Sequence, residues 1–502
     1  MHLTPFAKTV IACLSIAILT SKASAGENSG HTECPSINPP NPEQNSPQKN
    51  QTTEDCKPAQ LPLLQLADGY SINNSLGTKE WLTLNLSALS QNNGTTSGLS
   101  SNRFTSSNLF NLGLQIGPFT KGLSGATSAS EDNAPRPGQQ KDKADKFHHR
   151  IALNALFTQR AGQILSSEIP NVLNTQWNFG NGPIARLNIL NLEYRNPTGL
   201  ISSVKVGKLM QAQDFTVNPI QCFYSNFGLC GWAQGTPSMV QIPGNPFNSY
   251  GAVVKVGHED RTRLKYGAYQ LAPETFAPQY HGLNFQLNDA IGTAHFLELN
   301  IPLNSPSQLL VKSSLVDKAE SPSRPNQPNA RYVTPLPPSS LTIGGWLANG
   351  KFSHITQSDS GPEFGKQNNA IYGIGSLRLP VSWLGMDNRL FVSSSIGLTP
   401  DVQNYRSGGN AGIVMAGLLP RRPFDTLSLG LAYAAFNPSY YIAGTRPGSY
   451  TPSSEVALEL NYNIALNRSI SILPNFQYII RPAGDEKRSG VGVAGIQIWL
   501  RL

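Results

Sequence analysis

Between Ser454 and Leu502 apolar and polar positions alternate with a period of two. In Glu455-Val456-Ala457-Leu458-Glu459-Leu460-Asn461-Tyr462-Asn463-Ile464 every even position is apolar, and nearly every odd one is polar or small. Successive side chains of a strand point to opposite faces, so this segment has one greasy face and one wet face. The pattern returns in residues 470–480 and 490–502. A soluble sandwich turns the greasy face inward; an outer-membrane barrel turns it outward against lipid. Alternation alone leaves both readings open.

Windows of the same kind occupy residues 81–89, 109–117, 151–159, 185–195, 203–209, 250–258, 263–271, 293–301, 341–349, 370–379, 389–398, 411–419 and 427–436, with a weaker one at 309–315. No amphipathic helical period separates them. The class expected is all-β: an antiparallel meander rather than βαβ units. Closed single-chain barrels take even strand numbers, so 16 strands are expected, with 18 as the alternative. Tyr440, Tyr441, Tyr462, Phe476, Tyr478 and Trp499 fall near strand ends, which suits interfacial girdles.

Alternation also sorts candidate channel residues. If the apolar face meets lipid, Glu193, Arg195, Lys205, Arg263, Lys265, Glu298, Glu459 and Gln477 share the wet inner wall. Each reads first as a generic wet-face residue and second as a solute contact. Residues 211–249 form a connection long for a structureless loop, and they carry Phe223, Tyr224, Phe227 and Trp232. We expect this loop to fold into the lumen and constrict it; the alternative is a surface loop packed on itself. Asp214 is expected to cap the turn after Lys208 through local backbone bonds.

Ahead of the strands, Lys8, an apolar stretch over residues 10–20 and Ala23-Ser24-Ala25 read as a signal peptide over residues 1–25. Residues 26–79, rich in Pro, Asn and Ser, read as a disordered arm, and residues 80–502 as the barrel domain. No apolar run is long enough for a spanning helix. Four cysteines follow the leader as two local pairs, Cys34 with Cys56 and Cys222 with Cys230, which an oxidising compartment would close as disulfides. No metal-ligand spacing appears, and neither metal nor cofactor is expected. His148-His149 lies in a charged loop and reads as solvated. No nucleophile or phosphate-loop motif is present, so no enzyme is expected. The net charge of +8 becomes +6 once Lys8 and Lys22 leave with the leader. Without a concentrated basic stripe it excludes nucleic acid as a partner. It admits a mild preference for anions.

Two stretches carry a family resemblance. One is Val204-Lys205-Val206-Gly207-Lys208-Leu209-Met210-Gln211-Ala212-Gln213-Asp214-Phe215-Thr216-Val217-Asn218-Pro219. The other joins Glu455-Val456-Ala457-Leu458-Glu459-Leu460-Asn461-Tyr462 to Pro474-Asn475-Phe476-Gln477-Tyr478-Ile479-Ile480-Arg481-Pro482. Both resemble the carbohydrate-selective porins of the OprB type, and Asn248-Ser249-Tyr250-Gly251-Ala252 resembles the point where those porins resume a strand. The resemblance covers residues 80–502. It implies a 16-stranded transmembrane β-barrel of the outer membrane that passes small carbohydrates by diffusion, with membrane lipid as the outer partner, as monomer or homotrimer. The remaining alternatives are a general or mildly anion-selective porin and a secreted β-rich carbohydrate-binding or adhesion module. Leu502, where such barrels often end in Phe, and the long arm depart from the pattern.

Overall fold

The structure, a computed structural model, describes residues 75–79, 82–117, 150–179, 182–196, 199–218, 220, 223–230, 244–257, 262–303, 336, 339–355, 364–379, 387–419, 422, 424–439, 451–467 and 469–501. The strands are β1 (Ser75–Lys79), β2 (Leu82–Ser97), β3 (Phe104–Ile116), β4 (Arg150–Gly162), β5 (Ala185–Arg195), β6 (Ile201–Leu209), β7 (Ser249–Val256), β8 (Arg263–Leu271) and β9 (Gly292–Pro302). They continue with β10 (Ser340–Ser353), β11 (Phe364–Arg378), β12 (Asp387–Gly397), β13 (Tyr405–Ala416), β14 (Thr426–Phe436), β15 (Ser454–Ala465), β16 (Ile470–Ile480) and β17 (Val491–Arg501). From β2 to β17 each strand pairs antiparallel with the next. β17 returns to β2, from Gly492 opposite Ser97 to Arg501 opposite Ser87, and closes a 16-stranded barrel with no free edge.

The expected windows fall on the sixteen barrel strands. The weak window 309–315 lies outside the described residues, as do the leader, Trp81, Tyr440, Tyr441 and the His148-His149 pair. One strand went unforeseen. β1, within the stretch read as an arm, pairs with the start of β2. Several strands also run past their windows. β2 continues through Ser90-Gln91-Asn92-Asn93-Gly94-Thr95-Thr96, which is polar on both faces. Alternation is blind there, because backbone pairing needs no greasy face.

The greasy face points outward. Leu460, Phe476 and Tyr478 lie 49%, 48% and 39% exposed, while Glu459 and Gln477 on the opposite parity are buried. Leu297, Leu429, Leu431 and Ile496 join the same outward belt. So large an apolar surface is a lipid-facing band, not the outside of a soluble sandwich. The interior is not uniformly polar, however. Phe215, Tyr269, Phe296, Trp346 and Tyr372 cluster inside β8–β11, and Leu173, Trp177, Tyr224 and Leu229 cluster against β13–β16. Inward strand residues Tyr269, Phe296, Trp346 and Tyr372 meet Phe215 from an inserted loop, and Leu173, Trp177, Tyr224 and Leu229 come from inserted loops themselves. Trp499, expected in a girdle, is one of these inward residues: its ring lies 6.0 Å from Trp177 and stacks under Arg501 at 4.4 Å.

Candidate functional site

Two inserted segments occupy the lumen. The first is residues 169–179, from the β4–β5 connection; the exposed Ser167 and Glu168 before it lie on the rim. The second, residues 210–230, comes from the β6–β7 connection as far as it is described. They touch each other where the Phe227 N–H donates to the Asn174 carbonyl at 2.7 Å. Each is held by buried charge on the wall.

The second segment begins at a cationic wall. The register places Lys255 of β7 directly opposite Lys265 of β8 and sets Lys205 of β6 beside Glu193 of β5. Like charges directly opposite each other destabilise a sheet. The inserted chain supplies the remedy. Asp214 Oδ1 lies 2.9 Å from Lys205 Nζ and 3.0 Å from Lys255 Nζ, and Lys265 Nζ donates to the Asp214 carbonyl at 2.7 Å. Asp214 therefore does not cap a local turn; it pins the segment to the wall. Burial alone would push its carboxyl up, but Lys205 and Lys255 hold it well below the usual carboxylate range. Lys265 also pairs with Glu298 of β9, which accepts from the Thr216 N–H at 3.1 Å and the Tyr372 hydroxyl at 2.9 Å. Thr216 sits at φ +61°, a left-handed conformation that a β-branched residue rarely adopts, and the Glu298 bond holds it there. Arg195 donates to Glu193 at 2.7 Å and completes the ladder.

Farther along, the wall grips backbone. Glu459 accepts the N–H groups of Ser225 and Asn226, each at 2.7 Å. Asn461 donates to the Phe223 carbonyl at 2.9 Å; Gln477 donates to the Thr175 carbonyl at 2.9 Å and accepts from Asn226 at 2.9 Å. Glu455 holds the first segment, accepting from Leu173 N–H at 2.7 Å and Val172 N–H at 3.0 Å. Beside the Glu459 grip Tyr224 lies against β13 and β14 and donates to the carbonyls of Ile413 and Leu429 at 3.2 Å. The wall is cut back to receive it: a Cβ on Gly430 would lie 2.7 Å from the Tyr224 ring.

All the candidate wall residues lie on the barrel strands. Glu193, Lys205, Lys265 and Glu298 gather around Asp214; Glu459 and Gln477 meet on the other side; Arg263 lies opposite Asn300 of β9. Phe223 and Tyr224 are buried and Phe227 is partly so. Trp232, Cys34, Cys56 and Cys222 lie outside the described residues. Cys230 is disulfide-bonded. Asp214, Lys255, Glu455 and Tyr224's small-residue seat escaped the candidate list. Gly430, Ala432 and Ala434 on one parity of β14 were the visible signal for that seat. Among the described residues no cluster of His, Cys, Asp or Glu suits a metal ion.

A porin sequence profile, that of the carbohydrate-selective porin, OprB family, matches residues 146–501. A curated relative, the putative porin QuiX of Acinetobacter baylyi, is 24% identical over 347 residues, covering 66% of this chain and 72% of that protein. The high-pH structure of Pseudomonas putida OprB superposes with a TM-score of 0.65 at 16% identity, covering 84% of this chain and 94% of that one. The profile spans most of the chain and the fold agrees with it: this chain belongs to the OprB family of carbohydrate-selective porins of the outer membrane.

Proposed function

We propose that small carbohydrates diffuse passively through the space that the two inserted segments leave, and that these segments set its width without any chemical step. The observation that carries this reading is the Glu459 grip: a wall carboxylate spends both oxygens on loop backbone, so the loop is built into the lumen. Selection then comes from pore width and polar lining, which replaces water around sugar hydroxyls. Phe223, Tyr224 and Phe227 act by holding the segment in place, and the nearby Glu193, Lys205, Lys265 and Glu298 line its flank. Deleting residues 220–230 should raise single-channel conductance and abolish block by sugars. Unchanged conductance and block would sink the proposal.

A second reading, a mild anion preference, has its own support. Arg195, Lys205, Lys255 and Lys265 face Glu193, Asp214 and Glu298, while Arg378 and Arg389 share Asp387. Among the described residues of these two groups cations outnumber carboxylates, and a positive lining attracts anions. In a potassium chloride gradient the zero-current potential should show chloride permeating faster than potassium. Liposome swelling should remain fastest with neutral sugars of matching width, since the preference is a bias and not a filter. A potential of the opposite sign refutes the anion bias.

A further inference from the structure

The barrel wall is unequal in height. β6, β7 and β8 have 9, 8 and 9 residues, whereas every other barrel strand has at least 11. At about 3.3 Å per residue and a tilt of about 40°, eight residues rise about 20 Å, short of an apolar band about 25 Å tall. The outward positions at the loop-bearing ends of these strands are also wrong for lipid. They are Lys208, Tyr250 and Gln270, in line with the outward Val206, Ala252 and Ala268.

The β8–β9 connection covers this gap from outside. Lys208 Nζ donates to the Asn284 carbonyl, Tyr250 donates to the Phe285 carbonyl at 2.9 Å and Gln270 to the Leu287 carbonyl at 3.3 Å. The Lys208 ammonium sits 4.1 Å from the Tyr250 ring centre and 5.6 Å from that of Phe285. The connection is clamped at its start, where the Leu187 N–H donates to the His281 carbonyl at 2.9 Å. Residues 283–287 read Leu-Asn-Phe-Gln-Leu, and Leu283, Phe285 and Leu287 stand 51%, 51% and 65% exposed. The polar strand ends are thus tied to the connection's backbone, and a row of apolar side chains replaces them at the surface.

We propose that residues 283–287 are a surrogate lipid-facing element, immersed in the acyl chains of the leaflet on the loop-bearing side, that completes the apolar belt where β6–β8 are too short. The occupant is lipid because the row continues the outward belt of Tyr266 and Leu297 on the strands beneath it. The proposal rests on the outer-membrane porin reading. It also explains how Lys208 is tolerated on an outward position: the connection caps it with the Asn284 carbonyl and the Phe285 ring, beside the Tyr250 ring of β7.

The test uses the full chain in liposomes whose acyl chains carry bromine, a contact quencher of tryptophan. Phe285→Trp and Leu287→Trp are compared with Leu297→Trp on the outward face of β9 and Glu168→Trp on an exposed rim loop, each after subtraction of the wild-type signal. Phe285→Trp and Leu287→Trp should be quenched nearly as far as Leu297→Trp and at least about twofold beyond Glu168→Trp, as residues inside the apolar band must be. If both follow Glu168→Trp, the connection stands in water and the proposal falls. If both are shielded from bromolipid and from aqueous iodide while copies cross-link, a second copy covers the row and the proposal also falls. Loss of quenching at Leu297→Trp itself would instead refute the barrel's placement in lipid.

Discussion

Asp214→Asn is expected to open the channel: single-channel conductance should rise on the order of twofold as the second inserted segment leaves the wall and the polar lumen widens. The carboxylate comes from the inserted chain and lies between Lys205 and Lys255, and Lys265 binds its backbone carbonyl. Removing one partner of a buried ion pair costs about 3–5 kcal/mol, since a buried charge is left uncompensated. The strand ladder does not depend on Asp214, so the barrel should keep its heat-modifiable gel mobility while the segment comes loose. A double variant, Asp214→Asn with Lys255→Met, should recover part of the native conductance, because one of the stranded charges is gone. Native conductance in Asp214→Asn would show that the ion pairs do not hold the segment.

The same group sets a pH expectation. Its folded pKa is depressed, so its contribution is fully present above the unfolded value of about 4 and is lost as pH falls through the lower folded value. Conductance should therefore stay at its native level from neutral pH down to about 4 and climb only in stronger acid. Asp214→Asn should lack this acid-induced rise.

The barrel was legible because the lipid-facing positions must be apolar, and that demand stamps a period of two on strands such as Ile470–Ile480. Where no lipid enforces the pattern, the reading faltered: the polar end of β2 and the short β1 carry no alternation to detect. Inside the barrel, parity placed Glu193, Lys205, Lys265, Glu298, Glu459 and Gln477 on the wet wall. It could not say what they bind, because their partners lie far along the chain: Ser225 and Glu459 are 234 positions apart. Asp214 was misassigned for the same reason. A local turn explains an Asp near a strand end equally well until the fold brings Lys255 beside it. Trp499 shares a parity with Gln497 and Arg501, and its inward position was legible; its aromatic character drew it to the girdle instead. Glu459 read as a generic wet-face acid, yet both it and the unlisted Glu455 accept backbone N–H groups.

That last property makes Glu459 the position where two substitutions should part most clearly. Hydrogen bonds to a charged acceptor contribute about 1.5–3 kcal/mol each, so the pair from Ser225 and Asn226 contributes about 3–6 kcal/mol to holding the segment. Glu459→Ala removes both bonds and leaves a gap that water can fill. Glu459→Gln keeps the shape but offers one acceptor oxygen and an amide group that must face an N–H, donor against donor. Its oxygen can satisfy Ser225 or Asn226, not both, and Asn461, which donates to Glu459 at 2.7 Å, competes for it. Both variants should raise conductance and widen the size limit in liposome swelling so that disaccharides enter, while their mobility on unheated gels stays that of a folded barrel. Glu459→Gln should retain noisy transitions between the native and the open level, because one bond survives, whereas Glu459→Ala should sit at the open level. A Glu459→Gln channel with native conductance and native size limit would mean that shape, not the charged acceptor, holds the segment, and the constriction would then rest on Tyr224 and its seat at Gly430.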